Sequence, residues 1–219
     1  MSLILGSLMW RLLMDDMEKK LYQIISEFDI TIKQGLAFLT SWNAARANLN
    51  CPFLKNRWNH LDSRRSMTRV FYECLTNIPS GYITKAALDI KNDPLLDAKT
   101  KAKLLTEDHV MSGQAWGCFV IAKYEELFKD DFPAFIRECI TASTTVICTV
   151  EENNKCKSFT VNDNTTGGIL RLRVPTESRY EAAGINILWD INKGETFNGF
   201  PFKLSDAFLE YQKDHLLIS

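Results

Sequence analysis

The sequence has almost no excess charge, and this absence restricts its function. Its 219 residues carry 26 Lys and Arg against 27 Asp and Glu, which gives a net charge of −1. No global basic field is therefore present to hold a polyanion, and any contact with nucleic acid requires a local basic patch. Hydrophobic residues make up 46% of the chain, without repeats or low-complexity segments, which is typical of a soluble globular protein.

The six cysteines form no CxxC pair and show no Cys/His spacing of the kind that binds zinc. Cys118 and Cys139 lie in apolar helical patterns, and Cys148 lies in a β-rich run. These positions are typical of free, buried thiols, so we expect a reduced, cytoplasmic protein. A glycine-rich phosphate loop is also missing, and no nucleophile-elbow motif surrounds Ser112 near His109.

The N-terminus lacks a long hydrophobic run. Its first residues, MSLILGSLMWRLLM, are interrupted by Arg11 and followed by Asp15 and Asp16, so the run falls short of the ~20 residues that span a bilayer. We expect neither export nor contact with a membrane. Apolar residues at helical spacing continue to Leu39, which predicts an N-terminal helical hairpin over 1–50. This hairpin packs on the body or forms a homo-oligomer with a second copy.

Residues 51–219 are predicted to form an α+β domain, either separate from the hairpin or continuous with it. The fold class is α+β: a helical N-terminal half followed by a small, mainly antiparallel sheet flanked by helices. Asp131 is a candidate N-cap, and Gly184 is a candidate C′ residue that ends a short helix. The other predicted elements are a turn at 79–81, an amphipathic helix from 113, strands at 144–150, 156–161, 169–174 and 185–189, a turn at 151–154, a loop at 194–201 and a last helix at 204–217.

The most basic window of the chain lies between 55 and 69. Aromatic residues alternate with its cations, as a surface that contacts phosphates and bases requires. The predicted third strand adds two more arginines. A solvated helix face explains the window without any function. If the window is functional, the pattern makes nucleic acid, with DNA favoured, the predicted partner. The candidate nucleic-acid-binding residues are Lys55, Arg57, Arg64, Arg65, Arg69, Arg171 and Arg173.

The best chemical lead is the cluster Glu107-Asp108-His109, because His109 is one of only three histidines and follows two carboxylates. A histidine that is neutral near pH 7 can take a proton from water, and a carboxylate can hold a divalent ion against a phosphate. The alternative is structural: His109 caps the helix that begins near Gly113, or pairs with Glu107.

The motif Glu107-Asp108-His109-Val110 resembles the Asp-His-Val/Ile element that opens the HNH (His-Me finger) nucleases. Such nucleases are frequent among the free-standing homing endonucleases of tailed phages. The resemblance implies a phage-type endonuclease in the host cytoplasm, with His109 as general base, Asp108 as ligand of Mg²⁺ or Mn²⁺, and Glu107 in the same catalytic cluster. The family continues through a second strand into a helix that carries Asn and His. Here Asn153, Asn154 and Asn162 are the candidates for that asparagine.

A second resemblance comes from the predicted order of elements. From about Gly113, the predicted order is a helix, three strands, a helix and a strand. This order resembles the core of the PD-(D/E)XK nucleases. The third strand carries Arg171 and Arg173 instead of the acids that this family uses for metal. This points to an inactive relative of that fold. The alternative function is therefore a non-catalytic phage or accessory protein that binds nucleic acid or protein through 55–69 and through Arg171, Arg173 and Arg179.

Overall fold

The computed structural model describes residues 40, 43–51, 78–163 and 169–218. A helical segment covers 43–49, and seven strands and seven α-helices follow in the described part of the chain. The strands are β1 (Ile78–Thr84), β2 (Leu105–His109), β3 (Thr144–Thr149), β4 (Thr160–Asp163), β5 (Ile169–Leu172), β6 (Ile187–Asp190) and β7 (Glu195–Asn198). The helices are α1 (Lys85–Asn92), α2 (Ala98–Leu104), α3 (Gly113–Lys123), α4 (Phe132–Ser143), α5 (Val150–Ser158), α6 (Arg179–Ala182) and α7 (Asp206–Tyr211).

The strands form a five-stranded sheet in the order β2-β3-β1-β6-β7 and a separate two-stranded sheet of β4 and β5. Within the larger sheet only β1 and β3 run parallel, and the other three neighbouring pairs are antiparallel. The predicted α+β class, with a mainly antiparallel sheet flanked by helices, is confirmed. Strand β2 lies at one edge of this sheet, and helix α5, which comes later in the chain, packs against it.

The predicted turn at 79–81 is wrong, because these residues lie inside β1. The register of β1 against β3 shifts between Pro79 and Ile83, as in a β-bulge. Gly81 adopts a φ of +83°, which other residues rarely tolerate, and its carbonyl accepts a hydrogen bond from the Ile191 backbone N–H at 2.8 Å. The Pro-Ser-Gly signal thus marks an irregularity within a strand.

Helix α3 is the centre of the hydrophobic core. It was predicted to be amphipathic, but almost its whole circumference is buried, from Gly113 to Ile121. A helix that is apolar all round belongs in the interior. Phe119 is fully buried and contacts the rings of Phe128, Phe208 and Tyr211 at centroid distances of 5.5 to 5.7 Å. Helix α3 therefore fixes the position of the segment that precedes it, which leads back to β2.

The predicted turn at 151–154 and strand at 156–161 are wrong over most of their length, because α5 occupies Val150–Ser158. A capping box explains the helix: the Thr149 hydroxyl accepts from the Glu152 N–H at 3.1 Å, and the Glu152 carboxylate accepts from the Thr149 N–H at 2.9 Å. This helix separates β3 from β4, so three consecutive strands do not follow α4. The order of elements expected for a PD-(D/E)XK core is therefore absent from the described part of the chain.

The remaining elements agree with prediction in part. Asp131 accepts from the Ala134 N–H at 3.0 Å as the N-cap of α4, and Gly184 follows α6 with a φ of +82°. Helix α7 continues in a π-helical turn over Gln212–Leu216, which confirms the last helix. The predicted loop at 194–201 instead contains the edge strand β7.

The N-terminal hairpin, and with it the proposed boundary near residue 50, lies mostly outside the described residues. Its role in a homo-oligomer stays a prediction. No helix among the described residues has the length and apolarity that crossing a membrane requires.

Candidate functional site

A polar cavity of about 410 Å³ lies beside the C-terminal end of β2. Its walls come from β2, the start of α3, helix α5, strand β4 and helix α6, which are far apart in sequence. The lining residues are Glu107, Asp108, His109, Ser112, Gly113, Gln114, Asn153, Lys157, Thr160, Asn162 and Arg179. The structure thus brings all three predicted catalytic residues to one cavity, together with a lysine, an arginine and three amide side chains.

Strand β2 positions the Glu-Asp-His cluster by its pairing with β3. Glu107 lies opposite Ile147, Asp108 opposite Val146 and His109 opposite Thr145. Because alternate residues of a strand face opposite sides, Asp108 is buried while Glu107 is exposed and His109 is half-buried. The Thr145 hydroxyl donates to the Glu107 carboxylate at 3.2 Å, which holds that side chain over the strand.

The Asp108 carboxylate contacts two side chains of α6. The Arg179 guanidinium donates to Asp108 Oδ2 and to the backbone carbonyl of His109, and the Tyr180 hydroxyl donates to the same Oδ2 at 3.1 Å. Burial raises the pKa of the Asp108 carboxyl, and Arg179 and Tyr180 oppose that rise. Arg179 was grouped with surface cations in the sequence, and this is wrong, because its side chain is buried against Asp108.

The His109 imidazole has the protonation behaviour that a general base needs. Burial lowers the pKa of His109 below its ordinary value, while the carboxylates of Asp108 and Glu107 oppose the shift and Lys157 adds to it. The ring is therefore mainly neutral at pH 7 and has a nitrogen that can accept a proton.

Helix α5 contributes Asn153 and Lys157, which are four residues apart and therefore lie on one face of the helix. Both line the cavity, and α5 packs against β2. Of the three asparagines considered for the site, Asn153 and Asn162 line the cavity, whereas Asn154 is exposed and does not. The Lys157 side chain is exposed at the cavity and its charge acts on His109 and Asp108. Sequence reasoning missed Lys157 because it placed this segment in a strand.

Three buried polar atoms of cavity-lining residues have no hydrogen-bond partner among the described residues. They are Gln114 Oε1, Asn153 Oδ1 and Arg179 Nε. A buried polar group without a partner costs about 1–3 kcal/mol of folding free energy. Three such groups around one cavity therefore destabilise the folded protein locally. Each of these atoms has almost no accessible surface, so it lies inside the cavity wall and not on the surface of the cavity.

The predicted basic surface is only partly within the described residues. Lys55, Arg57, Arg64, Arg65 and Arg69 lie outside them. Arg173 is exposed just after β5, and Arg171 donates from Nη1 to the His215 backbone carbonyl at 2.7 Å. Neither arginine lines the cavity. Comparison with protein-family models, with curated proteins and with solved structures finds no match to this chain.

Proposed function

We propose that the chain is an endonuclease that hydrolyses phosphodiester bonds of nucleic acid with His109 as general base. The arrangement of β2, β3 and α5 is the observation that carries the proposal. Strand β2 holds the Asp-His pair, its antiparallel neighbour β3 leads directly into α5, and α5 presents Asn153 to the cavity. This is the strand–strand–helix order that the resemblance to HNH nucleases implies, with α3 and α4 inserted between the two strands.

Three residues of the cavity have distinct parts in the proposed reaction. The neutral His109 imidazole accepts a proton from the water that attacks phosphorus, the P–O bond to the leaving sugar oxygen breaks, and that oxygen takes up a proton from solvent. Lys157 stabilises the negative charge that grows on the phosphate oxygens, because it lines the same cavity and its side chain is exposed there. Arg179 positions His109, since its guanidinium binds both the Asp108 side chain and the His109 backbone.

The divalent ion predicted at Asp108, Mg²⁺ or Mn²⁺, fits the described residues poorly. The Asp108 carboxylate already pairs with Arg179, whose charge repels a second cation at that place. The described residues contain no cluster of three or more His, Cys, Asp or Glu side chains that could hold a metal. No step of the proposed reaction therefore passes through a metal, and the requirement for one is decided by assay.

The alternative, a binding protein without catalysis, is favoured by the same ion pair. A carboxylate neutralised inside the core acts as a structural group, and β2 would then be a scaffold strand. The two readings differ in what His109 does, so one experiment separates them.

Cleavage of plasmid DNA, single-stranded DNA and RNA should be measured with Mg²⁺, with Mn²⁺ and with EDTA. The proposal expects His109→Ala to abolish cleavage while nucleic-acid binding is retained. His215→Ala is the matched control, because His215 lies against the Tyr211 ring, away from the cavity. An absence of cleavage by the folded wild-type protein on all three substrates would contradict the endonuclease and leave the binding protein.

A further inference from the structure

A group of lysines lies before the first residue of β2, at the opposite end of the strand from the cavity. Helix α2, which leads directly into β2, contains Lys99, Lys101 and Lys103. Helix α1 adds Lys91, whose backbone carbonyl accepts a hydrogen bond from Lys101 Nζ at 2.8 Å. These four lysines therefore come from two neighbouring helices, and we call them the lysine surface.

The lysine surface differs from most other lysines in its lack of carboxylate partners. None of its four lysines forms a salt bridge with a described residue, and all except Lys101 are exposed. Several lysines elsewhere in the described part of the chain pair with a carboxylate about one helical turn away. Those lysines are Lys85, Lys123, Lys129 and Lys155.

The carboxylates of the turn between α1 and α2 bond to backbone groups instead of to lysine. Asp93 accepts from the Leu95 N–H at 2.8 Å, and Asp97 accepts from the Thr100 N–H at 2.7 Å as the N-cap of α2. The positive charge of the lysine surface is therefore not neutralised by an ion pair within these two helices and their turn.

Helix stability alone does not account for all four lysines. Lys91, Lys101 and Lys103 lie in the last turns of their helices, where a cation complements the helix dipole. Lys99 lies in the first turn of α2, where a cation opposes the dipole, and it is four residues from Lys103. Like charges at this spacing destabilise a helix. A bound polyanion relieves this repulsion.

We propose that the lysine surface binds the phosphate backbone of nucleic acid. Charge complementarity supports this partner, because lysines bind phosphates as point charges and release the counterions that surround the backbone. The net charge of −1 makes a local patch of this kind necessary for such binding. The inference rests on the proposed function, since it names how the substrate of the cavity is held.

Strand β2 connects the lysine surface to the cavity. Its five residues extend over about 17 Å at about 3.3 Å per residue. Phosphates of one duplex strand repeat every ~3.4 Å, so about five base pairs cover the same distance. Contacts to phosphate position a nucleic acid without reading its sequence. The lysine surface would thus hold the substrate a few base pairs from the bond that is cut.

The test is fluorescence anisotropy of the full chain with a labelled DNA duplex and a labelled single strand of about 20 nucleotides, from about 50 to 300 mM NaCl. The double variant Lys99→Gln/Lys103→Gln should weaken duplex binding and reduce the slope of log K against log salt by about 2. Lys129→Gln/Lys155→Gln is the matched control, because it removes two exposed lysines that form salt bridges. It should keep the wild-type slope.

Two further measurements separate binding from folding and from sequence readout. Thermal unfolding should show the same melting behaviour for both double variants, because all four side chains are exposed. Lys91→Gln, on the neighbouring helix, should reduce the slope by about 1 and provides the readout if the double variant does not fold. Two duplexes of unrelated sequence should lose affinity equally in each variant of the lysine surface.

An unchanged slope in the folded double variant, an equal loss of slope in the control, or a wild type that binds neither nucleic acid would overturn the inference. Vesicles of phosphatidylcholine and phosphatidylserine test a lipid surface, since the neighbouring Leu95 is 90% exposed. Binding to these vesicles without binding to nucleic acid would also overturn the inference. Salt-dependent binding with the expected slopes but without cleavage would overturn the endonuclease alone. Cleavage with an unchanged slope in the double variant would overturn the lysine surface alone.

Discussion

The guanidinium of Arg179 binds the carboxylate of Asp108 inside the protein, across 71 positions of sequence. The same nitrogen also donates to the backbone carbonyl of His109, so one side chain of α6 fixes the end of β2. This contact connects the candidate general base to the core. It also explains why Asp108, the more obvious candidate for metal, lies on the inner side of the strand.

The Asp108–Arg179 pair should make a large contribution to stability. Removing one partner of a buried ion pair leaves a buried charge, so Arg179→Met is expected to lower the free energy of unfolding by about 3–5 kcal/mol. The double variant with Asp108→Leu should recover part of this loss, because neither charge remains. Urea denaturation measures all four proteins of the cycle. Lys155→Met, which breaks the exposed pair with Glu151, is the control and should cost less than about 1 kcal/mol.

A loss for Arg179→Met as small as that of the control would contradict the buried pair. A double variant as unstable as the sum of the single variants would show that Asp108 and Arg179 do not interact.

The pKa of His109 predicts how stability depends on pH. Burial lowers this pKa in the folded protein, whereas the unfolded chain takes up a proton near the ordinary value of about 6.5. Below that value the unfolded state binds more protons than the folded state, so the free energy of unfolding falls as the pH falls. His109→Gln removes this contribution and should flatten the decline between about pH 7 and the folded pKa.

Chemical denaturation at a series of pH values measures this slope. His215→Gln is the matched control, because it replaces a histidine that does not line the cavity. It should leave the pH dependence that His109 contributes unchanged. A steeper decline in His109→Gln than in the wild type would show that the folded protein raises the pKa of His109.

Glu138 of α4 is a second buried ionisable group, and it does not line the cavity beside β2. Burial raises the pKa of Glu138, the Ser205 hydroxyl opposes the rise, and Oε2 has no hydrogen-bond partner among the described residues. A carboxyl whose folded pKa is raised stabilises the protein below its ordinary pKa, and this contribution is lost as the pH rises through the folded pKa. Glu138→Gln should therefore be more stable than the wild type at pH 7.

The difference between Glu138→Gln and the wild type should largely disappear near pH 4, where the carboxyl of Glu138 is mostly protonated in both states. Thermal unfolding at pH 4 and pH 7 measures this difference. Glu210→Gln, at an exposed position of α7, is the matched control. A constant difference at both pH values would mean that the effect comes from packing and not from charge.

The fold class was predictable because the apolar pattern changes period after Ser143, where α4 ends and β3 begins. Local signals also located the N-cap Asp131 and the C′ residue Gly184. Helix α5 was missed although its capping box, Thr149 with Glu152, is visible in the sequence. The β-branched residues before α5 and the two asparagines within it favoured the prediction of a β-hairpin. These signals outweighed the capping box, which favours a helix.

The candidate site was only partly predictable. Glu107, Asp108 and His109 are adjacent in sequence, so their chemistry could be read directly. Arg179 could not be assigned to Asp108, because a contact across 71 positions depends on how α6 packs against β2. The three unpartnered atoms at the cavity are likewise a property of tertiary packing, since burial removes their water and no local pattern indicates it.

Lys157 gives the most direct test of the proposed chemistry. If its ammonium group stabilises charge on the phosphate, Lys157→Gln should lower kcat/KM for nucleic-acid cleavage by about 10²–10³, as loss of one transition-state donor does. The effect should appear in kcat more than in KM, because the charge grows on the way to the transition state. Lys155→Gln is the matched control from the same helix, since Lys155 is exposed, pairs with Glu151 and does not line the cavity. Equal cleavage by both variants would remove Lys157 from the proposed mechanism.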